Sequence, residues 1–452
     1  MDILKCLPPE ISIKILAFLN LCDILKCSLV SRYWYDLTNT NSIWKQFWLA
    51  DLPLKKSNSS KDFKWIFQPP CEWKLYYLNH QKVINNWIDD RYEKHEINGY
   101  VYREHSAAYD GRTLVINNYD SVVVYRVEKG LLLPCQNLSY KKCESYGCAT
   151  NTTYIVVKYK PCIIIYDLMC DQYKVSHMLY LNVSDCKLMY KNEGKAIEEF
   201  NAEGSLGPFA LNFMGIIGST LYIYMETVRT MYAWSMKDMV CLTEIKFFVA
   251  NFLYDNERVY VYCIDFDNHV HHISVYDENA QKCYTVWPDM NIGDMHINNH
   301  LLVAVGDGKN EVDVCAWDKR TGDLLHSKRM LVTLISRLHP KNDVLVDVDY
   351  AWPFQIKEVF AYNIEDNEIV WRKLAGGVGG YRDQSDIHSI VADRFLIFRT
   401  YSRRRFDIHD GKRGKYLYSL YGIDTNYAFI SYDVLIYQNK KKCGKLVVHI
   451  YS

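Results

Sequence analysis

Over the first fifty residues, apolar positions recur at three- and four-residue spacing. Pro8 and Pro9 suit the first turn of a helix, where no amide donor is lost. Ile11, Ile15, Phe18 and Leu19 follow at helical spacing. Asp23 is placed to cap a second helix carrying Ile24, Leu25, Ser28 and Leu29, and Ser31 a third carrying Trp34 and Leu37. A fourth begins near Ser42 with Ile43, Trp44, Phe47 and Trp48. So small a bundle cannot hide that many large apolar side chains, so one face is expected to be buried by a partner. The stretch from Asp51 to Lys64 is polar and rich in Ser and Lys, and reads as a loop. Cys71–Trp87 then gives a long helical pattern without Pro or Gly, a stiff connector.

From about Tyr100 the period changes to two. Short apolar, β-branched and Tyr-rich runs alternate with turn residues, and one strand type recurs, ending in an aromatic or apolar anchor beside a polar residue. The anchors are Tyr125, Tyr166, Trp234, Tyr276, Trp317, Tyr362, His409 and Ile450, separated by 41, 68, 42, 41, 45, 47 and 41 positions. Six of these seven intervals lie near the period of propeller blades. The long one predicts a blade plus an insertion within Leu181–Ser205. Eight anchors favour eight blades, with seven the alternative count. An unrelated all-β domain would not need so regular an interval. The last anchor leaves no room for an outer strand, so ring closure needs one from the N-terminal side, within His95–Tyr102. The expected division is 1–50 for the bundle, 51–95 for the linker with its connector helix, and 96–452 for the propeller.

Composition narrows the functional classes. Lys+Arg and Asp+Glu are both 53, so the chain lacks the positive field of a non-specific nucleic-acid binder. The 15 cysteines are scattered and form no CxxC, which reads as reduced thiols of a cytoplasmic or nuclear protein. The N-terminus is not read as a signal peptide. Leu206–Met225 carries no charge but is interrupted by Gly and Pro, and reads as two short strands, Phe209–Phe213 and Leu221–Tyr224, around a turn rather than a membrane span. No Walker loop, GxSxG or HExxH is present. Gly376–Gly380 lacks a following Lys and reads as a loop. His269, His271 and His272 offer two nitrogens on one strand face but no third ligand. No cofactor, metal site or catalytic residue is expected.

Leu7–Trp48 resembles an F-box. The resemblance rests on Leu7, Pro8, Glu10, Ile11, Ile15, Leu16, Leu19, Asp23, Ile24, Val30, Trp34 and Trp44, with Ile24 where Leu is usual. Trp73–Trp87 is similar to the connector helix of F-box/WD-repeat proteins. The blades resemble WD repeats in period but weakly in motif: only Trp317-Asp318 keeps the W-D pair, and Gly-His is missing nearly everywhere. The resemblance implies an α+β multidomain chain, a small helical F-box bundle and linker followed by an all-β WD40-like propeller.

It also implies a substrate receptor of an SCF-type (Skp–cullin–F-box) ubiquitin ligase. Leu7, Pro8, Glu10, Ile11, Ile15, Leu16 and Leu19 would meet a Skp-type adaptor, with Ile24, Leu25, Val30 and Trp34 behind or beside them. For Leu16, Leu29 and Trp34 a core role is at least as well supported. The propeller would bind a protein substrate, phosphorylated in many receptors of this family. Arg382, Arg403, Arg404, Arg405 and Arg413, with Lys412, form the candidate patch for such a segment, since Arg pairs bidentately with phosphate; a solvated loop is the plainer alternative. No nucleic acid or membrane is implied as a partner. The alternative function is a propeller scaffold outside any ligase.

Overall fold

A computed structural model describes residues 3–51, 71–98, 107–118, 121–138, 145–159, 162–168, 175–182, 187–192, 211–225, 229–265, 270–307, 312–330, 337–338, 344–351, 355–366, 368–374, 385–391, 394–400, 405–411, 415–421, 423–439 and 445–452. The chain divides into two compact units. The first holds residues 1–92 with Tyr451 and Ser452, and the second holds Glu93–Ile450.

The first unit is helical. A 3-10 turn, Ile3–Cys6, precedes α1 (Pro9–Leu16), α2 (Leu21–Cys27), α3 (Arg32–Thr38), α4 (Asn41–Asp51) and α5 (Glu72–Ile88). Pro9 opens α1, as expected, because a first-turn proline loses no intrahelical bond. The helix stops at Leu16, before the apolar pattern does. Phe18 N–H turns to the Ile15 carbonyl and Leu19 N–H to that of Leu16, so the last turn tightens and ends. The cap of α2 also differs from expectation. Asn20, not Asp23, holds the N-cap, its side-chain oxygen accepting from Asp23 N–H at 3.0 Å. Ser31 caps α3 through Trp34 N–H at 3.3 Å.

Leu4, Leu16, Ile24, Leu37, Ile43, Trp44, Tyr76 and Tyr77 form the core of this unit, so α5 packs on the bundle. Trp44 is fully buried and donates its indole N–H to the Thr38 carbonyl at 2.6 Å. The Lys74 ammonium lies over the Tyr35 and Trp44 rings, 5.0 and 5.2 Å from their centroids. At the end of α5, Trp87 stacks on Tyr451 with ring centroids 3.7 Å apart.

The described strands of the second unit form eight antiparallel sheets, seven of four strands and one of five. They are the blades of an eight-bladed propeller, and the first strands of most neighbouring blades touch. Each anchor found in the sequence lies in or just after the third strand of its blade, from Val122–Glu128 in blade one to Lys445–Ile450 in blade eight. Second and third strands such as Tyr154–Tyr159 and Cys162–Asp167 in blade two are buried almost end to end. Both of their faces pack against adjacent blades, which is why they read as continuous apolar runs. Outer strands such as Leu131–Asn137 and Val240–Lys246 alternate with solvent.

The cores are inter-blade clusters. One joins Val156, Ile165 and Leu179 of blade two to Leu221, Ile223 and Trp234 of blade three. Another joins Leu301, Val303 and Val314 of blade five to Leu345 and Tyr362 of blade six.

Turns between first and second strands repeat one device. Asp110, Asn151, Asp255 and Asn298 each accept two backbone N–H bonds from residues two and three positions on. The Trp317-Asp318 pair closes a third-to-fourth-strand turn the same way. Asp318 accepts from Arg320 and Thr321 N–H, and these bonds hold its carboxyl below the usual range. Gly322 in that turn has φ +80°, and a Cβ there would meet the Tyr284 ring at 2.5 Å.

Ring closure comes from Glu93–Asn98, which pairs antiparallel with Lys445–Ile450 as the outermost strand of blade eight. It overlaps the expected span His95–Tyr102 from His95 to Asn98 but begins two residues earlier, and residues 99–102 lie outside the described residues. The predicted insertion contributes a fifth strand to blade two, Lys187–Asn192 paired with Val175–Asn182. Leu206–Met225 contains the strands Leu211–Ile217 and Thr220–Met225 around a turn at Gly218. No helix among the described residues is long and apolar enough to cross a membrane. At the seam between blades eight and one, Tyr109 O–H donates to Asp433 Oδ2 at 3.4 Å, while Asp433 Oδ1 has no partner among the described residues.

Candidate functional site

The first three helices present an apolar face to solvent. Pro8 is exposed at the start of α1, and Ile11 and Ile15 stand 43% and 44% exposed one turn apart on the same side. Phe18 follows at 91%, placed in the open by the early end of α1. Beyond α2, Leu29 and Val30 are 85% and 63% exposed, and Leu25 is partly so. Glu10 is exposed beside Ile11. The N-terminal turn is pinned from behind, since the Ser12 and Tyr33 hydroxyls both donate to the Leu4 carbonyl, at 3.0 and 3.1 Å. That anchorage sets Leu7, which is half-buried, and Pro8 at the entry to α1.

The predicted contact set therefore splits. Pro8, Glu10, Ile11, Ile15, Leu25 and Val30 are at the surface, and Leu7, Leu19 and Trp34 are half-buried. Leu16 takes the core role left open to it, and Ile24 the place behind the face. They are 1% and 0% exposed in the core of the unit and support the face from behind. Leu29 reverses the other way, from a core expectation to an exposed position. Phe18 and Leu29 belong to the face and were absent from the predicted set. Helical periodicity alone assigns both to the buried side, because it does not reveal where α1 and α2 end. Near α2, burial and then Asp23 raise the Cys27 thiol, which keeps it protonated beside this face.

The candidate arginine patch lies almost wholly outside the described residues: Arg382, Arg403, Arg404 and Arg413 do, as does Lys412. Arg405 is described and is a correction. It opens the strand Arg405–Asp410, is 3% exposed, and sits 3.0 Å from the carboxylate of fully buried Asp407. The Ser419 hydroxyl also donates to Asp407, and the Tyr421 ring lies under the guanidinium. A buried, paired Arg of this kind organises the blade rather than a ligand, because breaking it would strand the carboxylate. His269 and Gly376–Gly380 also lie outside the described residues. His271 bonds the Tyr262 hydroxyl at 2.7 Å, and His272 packs 4.9 Å from the Trp287 ring. Among the described residues, no group of three or more His, Cys, Asp or Glu side chains converges to hold a metal.

The fold thus combines a helical unit with an exposed apolar face and an eight-bladed propeller. Residues 4–50 match the F-box-like family. The match covers the helical segment alone; the second unit is a β-propeller. It is similar to F-box/LRR-repeat protein 5 of Pongo abelii, 29% identical over 84 residues, or 19% of this chain and 12% of the relative. It is similar to the probable E3 ubiquitin ligase complex SCF subunit sconB of Arthroderma otae, 25% identical over 158 residues, covering 28% of this chain and 23% of the relative. Cell division control protein 4 of Candida albicans is 26% identical over 109 residues, covering 21% and 16%. The chain thus spans less than a quarter of the length of these relatives. Among solved structures, BamB from Moraxella catarrhalis is similar at 12% identity and a TM-score of 0.48, covering 79% of this chain and 98% of its own. That likeness is too loose to bear on function.

Proposed function

We propose that the protein is the substrate-recognition subunit of an SCF-type ubiquitin ligase. The F-box-like segment docks a Skp-type adaptor and through it a cullin–RING ligase, and the propeller holds a protein substrate. The chain does no chemistry itself; ubiquitin transfer belongs to partner enzymes, in the cytoplasm or nucleus. The observation that carries this reading is the solvent-exposed run Ile11, Ile15 and Phe18 within a segment that matches the F-box-like family. Large apolar side chains left in water on one face are stabilised by a partner that covers them. The SCF subunit named among the relatives supports the same role.

The test is co-purification of the full chain with a Skp-type adaptor, comparing the wild type with a variant carrying Ile11→Asp and Phe18→Asp. Both positions face solvent, so the variant keeps its helical content and melting temperature. Its adaptor affinity drops by about 2 kcal/mol or more, roughly thirtyfold, as for truncated hot-spot anchors. A folded wild type that captures no adaptor overturns the receptor reading in favour of a scaffold outside any ligase.

A further inference from the structure

The turn between the first two strands of blade eight, Ile423–Ile430 and Val434–Asn439, carries a carboxyl with too few partners. Asp433 is 8% exposed. Its Oδ2 accepts one long bond, 3.4 Å, from the Tyr109 hydroxyl of blade one, and its Oδ1 is buried with no partner among the described residues. The other deeply buried carboxylates described in the ring, Asp407 and Asp410, each pair with an arginine. Asp433 does not. Asp110, beside Tyr109, brings a second carboxyl to the same corner. Arg112 in that turn pairs with Glu128 at 3.7 Å, and in blade seven Arg394 is taken by Asp410 at 2.9 Å. His449, on the third strand of blade eight, bonds the Tyr437 hydroxyl at 3.1 Å.

This carboxyl sits at the junction of the first and last blades. Its one side-chain partner, Tyr109, ends the inner strand of blade one, Ala107–Tyr109, which pairs with the next strand at three positions. The inner strand of blade five, Ile292–Ile297, pairs at five. Ala107, Leu114 and Ile116 share an apolar core with Val434, Ile436 and Leu446 across the junction. A carboxyl in such surroundings is favoured as the neutral acid, because the ionised form has lost its water and gained almost nothing in exchange. Burial raises its pKa accordingly. The ionised form regains water when the junction parts, and the short inner strand of blade one is the element with the fewest ladder bonds to resist.

We propose that Asp433 and Tyr109 form a pH-sensitive latch: with the carboxyl protonated the seam between blades eight and one is closed, and with it ionised the first strand of blade one is released while the other blades stay assembled. The latch does not depend on the ligase reading.

Hydrogen exchange of the full chain, read by mass spectrometry and corrected for the intrinsic rate at each pH, tests this. Ala107–Asn117 and the Asp433 turn lose about tenfold in protection between pH 6 and pH 8. That is the factor for a carboxyl at about 7 in the closed seam that returns to about 4 in the open one. Thr220–Met225 in blade three keeps its protection and serves as the internal reference. Asp433→Asn, a neutral isostere of the acid, removes the pH dependence at the seam. Tyr109→Phe deletes the donor to the ionised form, so the midpoint moves to higher pH. A role in packing alone would lower protection at every pH and leave the midpoint in place. The proposal is overturned by seam protection that is unchanged from pH 6 to pH 8, that falls equally in blade three, or that keeps its pH dependence in Asp433→Asn. A midpoint that does not rise in Tyr109→Phe also overturns it.

Discussion

In the helical unit, Phe18, Leu29, Val30 and Ile15 face water on helices of seven or eight residues and the turns after them. In the propeller, the middle strands of the blades are buried along almost their whole length, and exposed apolar residues are confined mainly to outer strands, such as Leu131, Val240 and Leu324. The difference follows from geometry. A blade is covered on both faces by identical neighbours, so its apolar strands are satisfied within the ring. The helices of this unit share one core, centred on Trp44 and Leu16, and among the described residues the remaining apolar surface has nothing to cover it. The propeller buries its apolar strands by repetition, whereas the helical unit leaves an apolar face exposed.

That contrast can be broken most severely at Trp44. Trp44→Ala removes the largest fully buried side chain of the helical core and its indole bond to Thr38, costing about 3–5 kcal/mol. Far-UV circular dichroism should show loss of helix at a temperature where the β signal of the propeller persists. Simultaneous loss of both signals would mean that the two units do not unfold separately.

The propeller has its own weak point at the seam. Burial pushes the Asp433 carboxyl up to about 7, because the ionised form is left with Tyr109 and one unpartnered oxygen. A carboxyl whose folded pKa is raised binds its proton more tightly in the folded state. Its stabilising contribution is full below about pH 4, the usual carboxylate value, and is lost as pH rises through about 7. At about 1.4 kcal/mol per unit, the span corresponds to about 4 kcal/mol. His449 in the same blade acts with the opposite sign, pushed down to about 3 by burial and by Lys94. Asp433→Asn isolates the carboxyl: it should stabilise the propeller at pH 8 relative to wild type and lose that advantage by pH 4, read by denaturant titration at both pH values. An advantage independent of pH would remove the carboxyl from this account. The smallest effect is local. Asn20→Ala deletes the cap of α2 and should cost about 1 kcal/mol, seen as a small drop in the melting temperature of the helical unit alone.

The sequence made the middle strands legible because burial on both faces leaves them uniformly apolar, and their third-strand anchors recur at a steady interval. First strands were harder to read. Phe248–Tyr254 is half-buried throughout, with no clean period of two, so it carries little signal by itself. The site was legible in class but not in detail. Ile11 and Ile15, placed on the contact face by resemblance, are exposed, while Leu16 and Ile24 turn inward and Phe18 and Leu29 outward. Those four depend on where α1 and α2 stop, and short helices end through local turn bonds that periodicity does not encode. Arg405 was misplaced for a related reason. A run of arginines reads as a solvated loop, but Asp407 two positions on, on the same strand face, draws it into the blade.

The closing strand has a consequence for how the chain is made. Lys445 meets Asn98 across a separation of 347 residues, so the partner of Glu93–Asn98 leaves the ribosome only after seven blades have been translated. Until then its native pairing cannot form, and unpaired strands are open to capture by wrong partners. Its sequence, EKHEIN, is charged and carries a single aliphatic residue. That composition keeps it soluble during the wait, and it explains why a strand essential to the ring looks so little like one.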